Sequence, residues 1–198
     1  MQEGKLLGHI VSAEGVRIDP DRVEAIQALS LSRSKKEVQA FLGRINFLRR
    51  FVSNFAELVK HITAMLRKGH EIKWIAEPRK SFDQIKKALT EAPVLVSPDY
   101  SKDFIAFSFA SFDTVAAVLL QKNEQGQEQP IAFFSKALRD AELRYEIMEK
   151  QAYALVKALK AFRVYFLHSK IIAYVPSASV KDILIHPDID RRRSKWIA

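Results

Sequence analysis

The sequence predicts an α/β protein in two parts, an all-α first half followed by a mixed α/β second half. Three observations point there. Apolar residues recur at helical spacing through residues 19–90, and two prolines bracket an extended stretch around Leu95. Beyond that stretch, three strand-like segments are followed by a long helical pattern and one further short apolar run.

The elements follow in order. Lys5–Ser12 reads as a strand that turns at Glu14-Gly15 into Val16-Arg17-Ile18. Asp19-Pro20 supplies an N-cap and an N1 proline for a short helix with Val23, Ile26 and Leu29 on one face. Ser34-Lys35-Lys36-Glu37 forms a capping box, and Val38, Phe41, Leu42, Ile45 and Leu48 then recur at helical spacing. Asn54 is expected to cap a third helix, with Leu58, Ile62, Met65 and Leu66 inward and Gly69 as its stop. Glu77-Pro78 opens a fourth, with Phe82, Ile85 and Leu89 inward and Lys80, Lys86 and Lys87 outward. Ala92-Pro93 to Ser97-Pro98 is extended, since proline disfavours helix in itself and in its predecessor. Phe104–Phe109, Val115–Lys122 and Ile131–Phe134 read as a meander with a polar turn at Asn123–Gln129. A helix from about Glu142 to Phe166 follows, burying Met148, Ala152, Leu155, Leu159 and Phe162. Ile171–Val175 is a short strand and Ser179–Leu184 a short helix. A crossover helix returning the chain parallel to its first strand is an α/β layer.

Composition excludes several classes. With 48% hydrophobic residues and 13 phenylalanines the chain can bury a core, so a disordered tail is excluded. No run of about 18 uncharged apolar residues occurs, so no membrane span is expected. Absence of cysteine removes disulfides and zinc–thiolate sites, and the five histidines lie in no H-x-E or H-E-x-x-H setting. Together with an N-terminus unlike a secretory signal, this gives a cytoplasmic or nuclear expectation. The net charge of +9 favours polyanionic partners, nucleic acid first; the alternative is a solvated basic face.

The first half carries Leu7-Gly8-His9-Ile10-Val11-Ser12, Val16-Arg17-Ile18-Asp19-Pro20, Val23-Glu24-Ala25-Ile26, Phe41-Leu42-Gly43, Arg49-Arg50-Phe51, Asn54-Phe55, Trp74 and Ala92-Pro93-Val94-Leu95. In this order they resemble the thumb of reverse transcriptases from gypsy-class LTR retrotransposons and their retroviral relatives. The second half carries Ala110-Ser111, Ala117-Val118-Leu119, Pro130-Ile131-Ala132-Phe133, Ser135-Lys136-Ala137-Leu138, Tyr145 and Glu149-Lys150. It resembles the RNase H-type domain that follows the thumb. The resemblance implies a residual palm hairpin over 1–18, a helical thumb over 19–92 and a degenerate RNase H-like domain over 93–198, truncated at its C-terminus and similar to a connection or tether domain.

Three departures from that family carry the functional expectation. Where active relatives hold metal-binding acids on a strand, a helix and a strand, this chain has Phe109, Gln151 and Pro176. Magnesium needs several hard anionic oxygens, which a phenyl ring, an amide and an imino acid cannot supply. Glu149 lies roughly 200° around the helix from Gln151 and cannot substitute. No catalytic residue and no metal or other cofactor is therefore expected. The resemblance implies that the palm, with a polymerase's metal-binding aspartates, would precede Lys5, and it is expected to be missing as well.

Candidate nucleic-acid contacts are Lys35, Lys36, Arg44, Arg49 and Arg50 on and after the second helix. Arg191, Arg192 and Arg193, beside Lys195 and Trp196, are another candidate, alternatively a nuclear-import patch or the start of a helix. Trp74, Trp196, His9, His61 and His168 are read as packing or surface residues. The expected function is a noncatalytic retroelement-derived module that binds an RNA–DNA hybrid, duplex nucleic acid or a partner protein, with no membrane and no small-molecule substrate. Two alternatives stand beside it: a fragment of an RNA-directed DNA polymerase/RNase H polyprotein active only with the palm, and a host-recruited protein-interaction scaffold.

Overall fold

Lys5–Ser12 is two strands rather than one. In the computed structural model, which describes residues 3–166 and 169–185, β1 (Gly4–Leu6) pairs antiparallel with β2 (His9–Ser12), and β2 with β3 (Gly15–Ile18). Leu7 and Gly8 join the first pair with φ of 50° and 77°, the left-handed backbone that matches the twist of a tight hairpin. Hydrophobic alternation alone does not reveal such a turn.

The chain divides into two units, Met1–Ser97 and Pro98–Ala198. In the first, Val16 and Leu95 exchange backbone hydrogen bonds of 2.8 and 2.9 Å. Gly15 makes this approach possible, since a Cβ there would stand 2.2 Å from the Leu95 carbonyl oxygen. Leu95, within the stretch read as a connector, is consequently buried in this unit.

Helix α1 (Pro20–Gln27) starts as the sequence suggests, with the Asp19 carboxylate accepting the Asp21 N–H. Helix α2 (Lys35–Asn46) is capped by Ser34 Oγ on the Glu37 N–H, while Glu37 reaches back to the Arg33 N–H, one residue earlier than a capping box requires. Val38, Phe41, Ile45 and Leu48 form its buried stripe. Helix α3 (Phe55–Ala64) departs from expectation at both ends. Asn54 takes a left-handed conformation and its side chain makes no capping bond, and the helix stops five residues before Gly69. Helix α4 (Ala76–Thr90) buries Phe82, Ile85 and Leu89. Trp74 packs edge-on against Phe82 and donates to the Ser32 carbonyl at 2.6 Å, a packing role. Lys86, expected to face outward, donates to the Gln27 and Leu29 carbonyls at 2.7 and 2.6 Å instead. The Gln27 carbonyl ends α1 and the Leu29 carbonyl lies just past it; both lack helical partners and attract a cation, which is the physical reason.

In the second unit, β4 (Phe104–Ala110), β5 (Thr114–Lys122) and β6 (Glu128–Ala137) form an antiparallel meander, and β7 (Ile171–Tyr174) lies parallel to β4, giving the order β6-β5-β4-β7. Pro130 is accommodated because β6 is an edge strand and its register with β5 shifts at Leu119/Leu120. The expected single helix over Glu142–Phe166 is instead a 3₁₀ turn (Asp140–Arg144), helix α5 (Ile147–Phe162) and a second 3₁₀ turn (Arg163–Tyr165). Glu146 and Glu149 form a capping box that starts α5 afresh. Met148 is 41% exposed, contrary to expectation, whereas Lys150 through Leu155 are all buried. This end of α5 is covered on two sides: α6 (Ala178–Ile185) contributes Val180 to a cluster with Ala110, Val115, Ala152 and Ala154. The described residues thus form a mixed α/β structure with two sheets and six helices, none long and apolar enough to cross a membrane.

Candidate nucleic-acid interface and the Phe109–Gln151–Pro176 corner

Phe109 sits near the end of β4, 57% exposed, on the opposite sheet face from Ala106 and Ala110, which are buried. The parallel register pairs Phe107 with Tyr174, so Pro176, just past the end of β7, continues that register to the level of Phe109. Gln151 reaches the same corner from the first turns of α5. Its Oε1 accepts the Ala110 N–H at 2.9 Å and its Nε2 donates to the Ala110 carbonyl at 3.2 Å. An amide satisfies both backbone groups at once; an ionised carboxylate has no proton to donate to the carbonyl. Lys150, its neighbour, is also buried, donating to the Phe112 carbonyl at 2.7 Å with its ammonium 4.7 Å over the Phe112 ring. The two residues together stitch α5 to the β4–β5 hairpin.

Two acids of this unit, Glu149 and Glu142, have other tasks. Glu149 accepts the Glu146 N–H at the start of α5. Glu142 is bound by Lys136, the Tyr153 hydroxyl and the Arg139 N–H. Burial pushes the Glu142 pKa up, but those hydrogen bonds outweigh it and hold the carboxyl below its ordinary range. Tyr153 is pushed well above a normal phenol by burial and by Glu142, so it is a neutral donor pinning the 3₁₀ turn to α5. Among the described residues, no group of three or more His, Cys, Asp or Glu is placed to hold a metal ion.

In the first unit, Lys36, Ala40, Gly43 and Phe47 follow one line along α2 and past its end, and all are exposed. Nothing lies within 4 Å of the position a Gly43 Cβ would occupy. Arg44 flanks this line and is exposed; Arg49 and Arg50 follow in a 3₁₀ turn (Arg49–Phe51). The expected basic residues are therefore not one patch. Lys35 donates to the Arg67 carbonyl at 3.1 Å, and the Arg50 guanidinium lies 5.6 Å from the Phe51 ring centre. Arg191, Arg192, Arg193, Lys195, Trp196 and His168 lie outside the described residues.

Sequence reasoning missed the role of Phe47, Gly43 and Arg22. Phe47 stacks on His9 (centroids 4.7 Å, planes 5° apart), and the Arg22 guanidinium sits 4.9 Å from the centre of the Phe47 ring. Only an exposed phenylalanine in line with a helical glycine hinted at this. His9 is a buried packing residue; burial, then Arg50 and Arg22, hold its imidazole below the ordinary range. Below about pH 6.5 the unfolded chain takes up a proton that the folded chain resists, so stability falls through that interval and levels off below the folded pKa. His9→Phe is expected to flatten the fall in urea midpoint between about pH 7.5 and about pH 5.5; an unchanged fall would place that pH dependence on other groups.

A family model for the RNase H-like domain found in reverse transcriptase matches residues 74–173. The retrovirus-related Pol polyprotein from transposon 297 of Drosophila melanogaster is 36% identical over 84% of this chain, which covers 15% of that polyprotein. The transposon Tf2-3 polyprotein of Schizosaccharomyces pombe is 29% identical over 81% of this chain, which covers 12% of it. The foamy viral protease-reverse transcriptase dRH, solved in complex with double-stranded DNA, matches 98% of this chain with a TM-score of 0.81 and 27% identity, over 35% of its own length. The foamy viral protease-reverse transcriptase with an RNA/DNA hybrid matches 98% with a TM-score of 0.79 and 28% identity, over 27% of its length.

Proposed function

The chain belongs to the family of RNase H-like domains found in reverse transcriptase, and from that premise we propose that it is a noncatalytic module binding an RNA–DNA hybrid or duplex through the solvent face of α2. The observation that carries this reading is Gly43. Glycine within a helix costs about 1 kcal/mol relative to alanine, and here open space leaves no internal packing reason for it. A smooth strip of Ala40 and Gly43, with Lys36 in line and Arg44 on its flank, suits close approach of a polyanionic backbone. The foamy viral relatives solved with double-stranded DNA and with RNA/DNA hybrid lend support.

The noncatalytic part rests on Phe109, Gln151 and Pro176, taken as the positions of lost metal-binding acids. None offers an anionic oxygen, and the Gln151 amide is occupied by Ala110. Binding to a labelled RNA–DNA hybrid should weaken steeply with salt and drop roughly a hundredfold or more in Arg44→Glu/Arg49→Glu/Arg50→Glu. Equal lack of affinity for hybrid, duplex and single strands at low salt would contradict nucleic-acid binding and favour a protein-interaction scaffold. That second reading is supported by the sheet face of the second unit, where Phe107 and Tyr174 stack at 4.9 Å beside exposed Phe109. Coverage of only 12–15% of the polyprotein relatives supports a further reading, a segment of a larger RNA-directed DNA polymerase.

A further inference from the structure

A groove between the β1–β2 turn, α1 and α2 is lined by Arg22 and Arg44 together with Gly8, Asp19, Asp21 and Ile26. A single ammonium, that of Lys5, bridges the groove's two carboxylates, 3.2 Å from Asp19 and 2.7 Å from Asp21, so that together with Arg22 and Arg44 the groove keeps a net positive charge. Neither guanidinium has a hydrogen bond or ion pair among the described residues. Arg22 is nevertheless held in place. Its guanidinium carbon packs 4.9 Å over Phe47, which is stacked on buried His9. Gly8 makes room for it: a Cβ there would stand 2.6 Å from the Arg22 Cζ. Two cations face one groove of net positive charge, one of them braced on an aromatic ring, and so present donors suited to a tetrahedral anion. Guanidinium donors match phosphate oxygens in pairs.

We propose that Arg22 and Arg44 jointly seat a single backbone phosphate of the bound nucleic acid. This rests on the nucleic-acid reading above and adds Arg22, in the first turn of α1, to the contact surface. The test is fluorescence anisotropy of a labelled RNA–DNA hybrid across a salt series, using the full chain and the variants Arg22→Gln, Arg44→Gln, their double, and Lys80→Gln on exposed α4 surface. A shared seat predicts that each single variant weakens binding about tenfold and lowers the salt slope by about one. The double variant should be scarcely weaker than either single, and Lys80→Gln, which removes the same charge, should bind as the parent. If the parent binds but both single variants bind equally well, the seat is overturned and the nucleic-acid reading survives. Additive losses with a slope lowered by about two would assign separate phosphates and overturn the shared seat. A parent that binds no hybrid at low salt removes both claims together.

Discussion

Gln151→Ala is expected to lower unfolding stability by about 2–4 kcal/mol, because it strands a buried donor and a buried acceptor at once. The N–H and carbonyl of Ala110 point to the side of β4 on which β7 pairs, yet β7 ends at Tyr174, level with Phe107. Beyond that point the Gln151 amide stands in for a strand, accepting from one group and donating to the other. Gln151→Glu should lose part of this stability near neutral pH, where a carboxylate would face the Ala110 carbonyl. It should recover as the pH falls and the acid acquires a proton to donate. Urea denaturation followed by circular dichroism measures both. An alanine variant within about 0.5 kcal/mol of the parent would show that water or a neighbour satisfies Ala110 equally well.

Gly43→Ala is expected to act in opposite directions on stability and binding. The helix gains about 1 kcal/mol, since no atom lies near the added methyl group. Hybrid affinity should fall by roughly tenfold as the methyl group holds the backbone off the strip between Ala40 and Phe47. Denaturation and anisotropy on the same preparation separate the two effects. A variant that is more stable and binds unchanged would remove α2 from the contact face, while loss of both would mean that Gly43 serves folding.

Much of the fold was legible because local rules and tertiary packing agree. The 3.6-residue spacing of Val38, Phe41 and Ile45 marked the buried side of α2, and Asp19-Pro20 and Ser34 marked where two helices begin. Legibility failed where burial is decided by chain far away in sequence. Met148 continued an apolar stripe, but α6 and the β4–β5 hairpin bury Lys150, Gln151 and Tyr153 instead. Lys86 looked like a solvated lysine until α1 placed its open carbonyls beside it. The basic residues could be counted but not grouped: Lys35 is occupied by the Arg67 carbonyl, whereas Arg22 joins Arg44 only through folding. Phe109, Gln151 and Pro176 were named by resemblance. That Gln151 should hold the residue next to Phe109 follows from the seating of α5 on β4.

The most direct test follows a doubly labelled RNA–DNA hybrid incubated with magnesium and enough protein, purified from a host lacking RNase H, to bind it fully. The expected result is salt-sensitive binding with both strands intact throughout. Magnesium-dependent cleavage of the RNA strand that tracks with the protein through purification would contradict a noncatalytic module. It would show that metal is held by groups other than the residues at Phe109, Gln151 and Pro176.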